Sequence, residues 1–287
     1  MTDALVLGGG GVAGVAWELG VLQGIADKDR ALAARLVSAG RVVGTSAGAA
    51  VAAQVTSGTP LEELYEAQLV DDGLDFVVEF DGPAMLAGWV AALEPSADGS
   101  PPDPLVIRRR IGAMALAAPT TDEATRLKEH EADLLSTEWP DTDLTIPAVD
   151  AESGELRVFR RDSGVRLLDA IAASCAVPGV WPPVTISDRR YVDGGIRSVA
   201  NVDLAAGADH VLVVTPQRPG SPSAFGPSAS EQVAALAPAK VLMIGADDAS
   251  IEAFGINPLS PATRAPSAAA GRAVGRAQAA ELAALFS

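Results

Sequence analysis

Short apolar runs alternate along the chain with segments whose apolar residues recur at helical spacing. That alternation predicts an α/β protein with a largely parallel sheet. "DALVLGG" reads as a first strand and "VAWELGVLQGIADKD" as a helix with Val15, Leu19 and Leu22 on one face. "GRVVGTS" is a second strand, followed directly by the small-residue helix "AGAAVAAQVTSG". "TPLEELYEAQL" opens another helix, with Thr59 as N-cap, Pro60 at the first position and Glu62 completing a capping box. Sheet-like runs resume at "LTIPAVDAESGELRVFRR", where "ESG" predicts a hairpin turn. "VRLLDAIAASCAVPG" is a helix stopped by Pro178 and Gly179, and "VTISDRRYVDGG" is a hairpin. "HVLVVTP" and "VLMIGA" are late buried strands, and an Ala-rich C-terminal helix covers 271–286.

Between 71 and 143 the pattern changes. "DDGLDFVVEFDGPAMLAGWVAALEP" mixes helical amphipathicity with acidic and aromatic residues, "SADGSPPDP" is a loop, and "TTDEATRLKEHEADLLSTEW" is a charged helix. The segment reads as a helical insertion on the sheet, a cap over a site. Phe80, Leu86 and Trp89 are its candidate lipid-facing residues, although such a stripe also fits ordinary core. Trp17 and Trp181 are expected to pack helices beside the site. The Pro/Ser/Gly stretch at 216–230 reads as a mobile loop rather than a linker, so 1–287 is expected to be a single domain.

Charge narrows the partners. The formal net charge of −16 argues against nucleic acid, whose phosphates require a basic face, and against electrostatic docking on anionic lipid. A single cysteine, Cys175, excludes an intramolecular disulfide, and its apolar helix lacks the neighbours a catalytic thiol needs. The N-terminus has no basic region before its apolar run, and no stretch is long and apolar enough to span a membrane. The expectation is a soluble cytoplasmic protein. With two histidines and one cysteine a zinc site is not expected, and no metal or organic cofactor is called for.

Three motifs carry candidate chemistry. Gly9-x-Gly11-x-x-Gly14 lies between a strand and a helix, which suits a dinucleotide, an oxyanion or a tight turn. A dinucleotide site also needs an acid at the end of the second strand, and that strand ends "VVGTSAG". Gly44-Thr45-Ser46-Ala47-Gly48 fits G-x-S-x-G in the strand–turn–helix context of a nucleophile elbow, with small flanks that let the turn present Ser46 at a helix N-terminus. His210, before "VLVVTP", reads as an edge-facing structural residue and His130 as solvated on a charged helix, so neither is a convincing general base. Asp193 closes a strand before Gly194 and Gly195. Alone it is an ordinary Asp-Gly turn, yet a carboxylate bonded to the serine can act as base directly if burial beside Val192 and Ile196 raises its pKa.

The order "GGGGVAG", "GTSAG", "DGG" resembles the patatin-like phospholipases, and "GVLQGI" and "LLDAIAASCAVPGVWPPV" extend the resemblance over about residues 4–215. It implies a three-layer α/β/α fold and a Ser–Asp dyad acyl hydrolase. Ser46 matches the nucleophile, Asp193 the general base, and Gly10 and Gly11 the backbone oxyanion donors, with Gly9 and Gly14 shaping the loop. Two departures stand out. Ala13 replaces the family's usual basic residue, and "VAWELG" holds one extra residue before Gly20. The resemblance implies a lipid or other acyl-ester substrate and transient contact with a lipid interface. The alternatives are a family member that binds acyl chains or other ligands without cleaving them, and a nucleotide-binding protein using the Gly9–Gly14 turn.

Overall fold

The computed structural model describes residues 2–70, 82–96, 98–133 and 135–286. The strands are β1 (Asp3–Leu7), β2 (Arg41–Gly44), β3 (Asp143–Asp150), β4 (Leu156–Phe159), β5 (Val184–Ile186), β6 (Arg189–Asp193), β7 (His210–Thr215) and β8 (Lys240–Gly245). The helices are α1 (Gly11–Ala26), α2 (Arg30–Val37), α3 (Ala47–Val55), α4 (Leu61–Ala67), α5 (Gly82–Ala92), α6 (Pro104–Ala117), α7 (Glu123–Asp133), α8 (Leu167–Ser174), α9 (Ala229–Ala235), α10 (Asp248–Phe254) and α11 (Arg264–Leu285).

One sheet runs β5-β6-β3-β2-β1-β7-β8, with β4 also paired to β3. The pairs among β3, β2, β1, β7 and β8 are parallel, and those of β4, β5 and β6 are antiparallel, so the sheet is mixed rather than largely parallel. Strand order reverses direction at β1, and in open α/β sheets the crevice beyond the strand ends at such a point is where ligands bind.

Alternation along the strands divides the core between two faces. Leu5, Leu7, Leu212 and Val214 pack with α1, α3 and α8, whereas Ala4, Val6, Val211 and Val213 pack with Val202, Ala205 and Leu236. Helices α5 and α6 bury Ala92, Ile107 and Ile111 against Val149 of β3 and Val192 of β6. The result is an α/β architecture with helices on both faces of the sheet, as the pattern predicts.

Several local expectations change. Helix α1 is buried around nearly its whole circumference, from Ala13 to Ile25, rather than along one face. Its outer side is covered by α11, and the two approach so closely that only glycine fits between them. A Cβ at Gly24 would lie 2.2 Å from Arg272 O, and one at Gly275 would lie 2.0 Å from Val21 O. Asp27 at the end of α1 binds Arg272 Nε at 2.7 Å and Arg276 Nε at 2.5 Å, which holds its carboxyl well below the usual carboxylate range. Helix α4 starts at Leu61 with Pro60 as its uncapped N-cap residue, because the Thr59 hydroxyl is engaged by Ser57 Oγ at 3.0 Å. Helix α8 ends at Ser174, before the proline expected to stop it. Helices α2, α9 and α10 lie where no helix is predicted, and α6 lies within the predicted helical insertion, between its two expected helices.

His210 opens an interior strand rather than an edge, and its buried ring meets Asp3 Oδ1 at 3.2 Å. His130 is half-buried rather than solvated, and burial, aided by Arg126, pushes its pKa down to about 3. No described helix is long and apolar enough to cross a membrane.

The α1–α11 contact is testable at Gly275. Replacing it with Ala gains about 1 kcal/mol of helix propensity, but overpacking costs of about 1–3 kcal/mol should prevail. Urea unfolding of Gly275→Ala is expected to show a lower midpoint at unchanged slope. A higher midpoint would mean that glycine does not set the helix spacing.

Candidate active site

The ends of β1, β2 and β6 converge on one cleft of about 410 Å3, whose lining includes Gly9, Gly10, Gly11, Ser46, Asp193 and Gly195. The structure therefore brings the three sequence motifs together. Each is placed there by a backbone constraint.

Ser46 links β2 to α3 with φ 53° and ψ −119°, a left-handed conformation that costs a non-glycine residue on the order of 1–3 kcal/mol. Its flanks leave no room for side chains. A Cβ at Gly44 would sit 2.4 Å from Gly48 O, and one at Gly48 would sit 2.3 Å from Leu7 O. The side chain of Ser46 makes no capping bond to α3, which leaves its hydroxyl available to the cleft.

Three residues hold the turn in place. Ser174 Oγ accepts from the Ser46 N–H at 3.0 Å and donates to Pro147 O at 2.7 Å. The Cys175 thiol donates to Ser46 O at 3.2 Å. Asn201 Nδ2 donates to Thr45 Oγ1 at 3.1 Å, to Ser198 O at 2.8 Å and to Gly194 O at 3.3 Å, joining the serine turn to the Asp193 turn. "ASCA" marks Ser174 and Cys175 in the sequence only as part of the family resemblance. Asn201 carries no sequence signal, because its link to Thr45 crosses 156 residues and its nearer partners, Ser198 O and Gly194 O, are backbone atoms. Burial, and secondarily the charge of Asp193, push the Cys175 thiol up to about 12, so it is no thiolate nucleophile.

Asp193 ends β6 and is 5% exposed. Oδ1 accepts from the Gly195 N–H at 2.7 Å. Oδ2 is buried without a hydrogen bond of ordinary geometry among the described residues. Burial raises the carboxyl to about 6, against the opposing influence of the Ser46 side chain and the Gly195 N–H. This is the environment that the apolar neighbours Val192 and Ile196, both buried, lead one to expect.

The glycine loop lies beside these groups. A Cβ on Gly9 would be 3.3 Å from Ser46 Cβ, and one on Gly14 would be 3.3 Å from Ala47 Cβ. The Gly9 N–H is committed to Val199 O at 2.8 Å. Those of Gly10 and Gly11 have no acceptor among the described residues. Gly11 has φ +65°, and a Cβ there would meet Leu259 Cδ2 at 2.8 Å. The neighbouring Pro258 O accepts from the Ala13 N–H at 2.9 Å, and the Ala13 side chain is fully buried. A long basic side chain at position 13 would have to displace this packing.

The cleft walls come from the insertion and from the 216–230 stretch. Trp89 of α5 meets Phe225 edge to face, with ring centroids 5.2 Å apart. Trp89 thus lines the cleft, while Leu86 of the same helix is 62% exposed. Phe80 lies outside the described residues. Trp17 donates to Ser250 Oγ at 2.9 Å within the core, and the Trp181 ring carries the Arg126 guanidinium 3.6 Å from its centroid. Among the described residues no cluster of His, Cys, Asp and Glu could hold a metal ion.

Comparison with known proteins identifies the family. The model of the patatin-like phospholipase family matches residues 5–206. Among solved structures, VipD from Legionella pneumophila is similar at 14% identity and a TM-score of 0.40, over 88% of this chain and 53% of that one. The type III effector protein ExoU is similar at 15% identity and a TM-score of 0.42, over 98% of this chain and 53% of that one. The chain thus spans about half the length of these two structures. The curated proteins contain no match. With the family model matched over more than half its length, the chain belongs to the patatin-like phospholipase family.

Proposed function

We propose that the protein is a serine acyl-ester hydrolase working through a Ser46–Asp193 dyad and a backbone oxyanion hole. The observation that carries this reading is Asp193. It is a buried carboxyl at about 6, with one oxygen unpartnered, on the same cleft as a strained serine and two free glycine N–H groups. Desolvation makes it a better base than an ordinary aspartate while leaving it ionised at neutral pH.

Ser46 Oγ attacks the ester carbonyl carbon as Asp193 takes the hydroxyl proton. The carbonyl electrons move onto oxygen, and the Gly10 and Gly11 N–H groups bind that oxyanion with dipoles already oriented, assisted by the N-terminus of α3 at Ala47. Collapse expels the alcohol, which takes the proton from Asp193 and leaves an acyl-serine. Asp193 then removes a proton from water, whose oxygen attacks the acyl carbon, and the carboxylic acid leaves as Ser46 regains its proton. The proton that Ser46 gives up leaves with the alcohol and is replaced by one from water, so Ser46 and Asp193 end as they began, with no change of oxidation state. The substrate class is an acyl ester, lipid or otherwise. Among the described residues that line the cleft, the one cationic side chain, Arg218, is paired with Asp248, so none of them offers an anionic head group a free cation. The whole described chain acts as one domain in this reading, with α5–α7 as its cap.

A fluorophosphonate should label the wild type and not Ser46→Ala; equal labelling would remove Ser46 as nucleophile. The same assay separates a non-cleaving ligand binder, which neither labels nor turns over p-nitrophenyl esters. A nucleotide binder would instead show a nucleotide-induced thermal shift that persists in Ser46→Ala.

Because the base must be ionised, kcat/KM is expected to rise with pH through a midpoint near 6. Asp193→Asn should lower turnover by orders of magnitude yet unfold at higher temperature. The sign follows from the raised folded pKa. The group's contribution is fully favourable below the ordinary aspartate pKa and is lost as pH rises through about 6. The buried carboxylate therefore costs up to roughly 3 kcal/mol at pH 8, a cost that the amide does not incur. A Tm at pH 8 below that of the wild type would contradict this account.

Trp89→Ala opens the wall that Trp89 and Phe225 form. In a p-nitrophenyl ester series it should move the optimum toward longer or bulkier acyl groups. An unchanged profile would place the acyl chain elsewhere.

A further inference from the structure

Glu18 on α1 is, among the described residues, the only acidic side chain with no exposed surface at all. Its Oε1 accepts from the Gly8 N–H at 2.7 Å, a donor it shares with Val214 O at 2.9 Å. Its Oε2 is buried and has no partner among the described residues. Such an arrangement is expensive unless the carboxyl is neutral. Burial does drive its pKa well above the usual carboxylate range, opposed only by the Gly8 N–H. An apolar side chain would fill this space without any polar cost, so packing alone does not account for a carboxyl here.

Gly8 is the hinge between β1 and the glycine loop. Its carbonyl accepts from the Gly48 N–H at 2.9 Å in the first turn of α3, just past Ser46. Its Cα faces Thr215, so that a Cβ there would lie 3.0 Å from Thr215 Oγ1, itself buried and unpartnered. The peptide units on either side of Gly8 are thereby tied at one end to Glu18 and at the other to the nucleophile helix. Gly10 and Gly11 follow two and three residues on.

We propose that Glu18 is a positioning residue for the oxyanion loop: its buried carboxyl holds the Gly8 N–H and thereby fixes Gly10 and Gly11 relative to Ser46. This rests on the reading of those two glycines as oxyanion donors. Glu18 touches no substrate. Its Oε1 supplies an acceptor inside the core, where no water competes for the Gly8 N–H.

The test compares Glu18→Gln, which keeps shape and acceptor, with Glu18→Met, which keeps shape and removes the acceptor. With a p-nitrophenyl ester, Glu18→Met is expected to lose about tenfold or more in kcat with KM nearly unchanged, because only transition-state stabilisation is impaired. Glu18→Gln should stay within about threefold of the wild type. In protein labelled with 15N-glycine, the amide signals of Gly8, Gly10 and Gly11 should move in Glu18→Met and hold in Glu18→Gln. Wild-type kcat in a folded Glu18→Met would overturn the proposal, as would unmoved glycine signals. So would a loss beyond about tenfold in Glu18→Gln, which folds around the same hydrogen bond even if the Met variant does not. Hydrolysis that survives Ser46→Ala would instead overturn the dyad, and the glycine signals, which need no turnover, would still decide the role of Glu18.

Discussion

At Gly48 the first turn of α3 presses against the end of β1, with 2.3 Å between a would-be Cβ and the Leu7 carbonyl oxygen. Everything at the cleft depends on that approach. It brings the turn that carries Ser46 against the loop that carries Gly9, Gly10 and Gly11, and it lets the Gly48 N–H reach Gly8 O. Glycine at 44 and 48 is therefore a requirement of distance rather than of flexibility. The strained φ of Ser46 follows from it, since the chain must turn from strand to helix within one residue while the serine side chain still points outward.

The clamp on Ser46 is distributed. Ser174 holds its N–H, Cys175 its carbonyl, and Asn201 the preceding Thr45, so strands β2 and β6 and helix α8 share the load. Cys175 thus plays a structural part next to Ser46. Its thiol is a weak donor to the Ser46 carbonyl, and burial keeps its proton on. A site built this way holds two raised carboxyls, Asp193 and Glu18, in a chain that is otherwise strongly acidic at its surface. Stability is given up locally for preorganisation, a common relation between active sites and the folds that carry them.

Much of this was legible in the residues. The strands β1, β2 and β7 announce themselves because each is buried on both faces and so reads as a continuous apolar run, whereas β8, expected to be buried, is a half-buried edge strand with only Ile244 in the core. The three motifs are legible because tight turns restrict residue type. The orientation of α1 was not legible, because a helix buried all round has no polar face, and its covering partner α11 lies at the far end of the sequence. The α4 cap failed for a local reason, the competing Ser57–Thr59 bond. His130 was misjudged because charged neighbours in sequence say little about which way one ring turns. Ala13 departs from the family's usual basic residue, and the departure becomes intelligible with Pro258 beside it, a residue beyond the segment the family model matches.

The embrace of α1 by α11 has a consequence for the order in which the molecule is made. The helix that follows the glycine loop is apolar on nearly every side, and its cover leaves the ribosome only after all the strands of the sheet have been made. Contacts of such long sequence separation form late and slowly. Until they do, α1 is an exposed hydrophobic surface of the kind that nascent chains hide in chaperones. The segment that covers the helix behind the glycine loop is thus translated long after the loop itself.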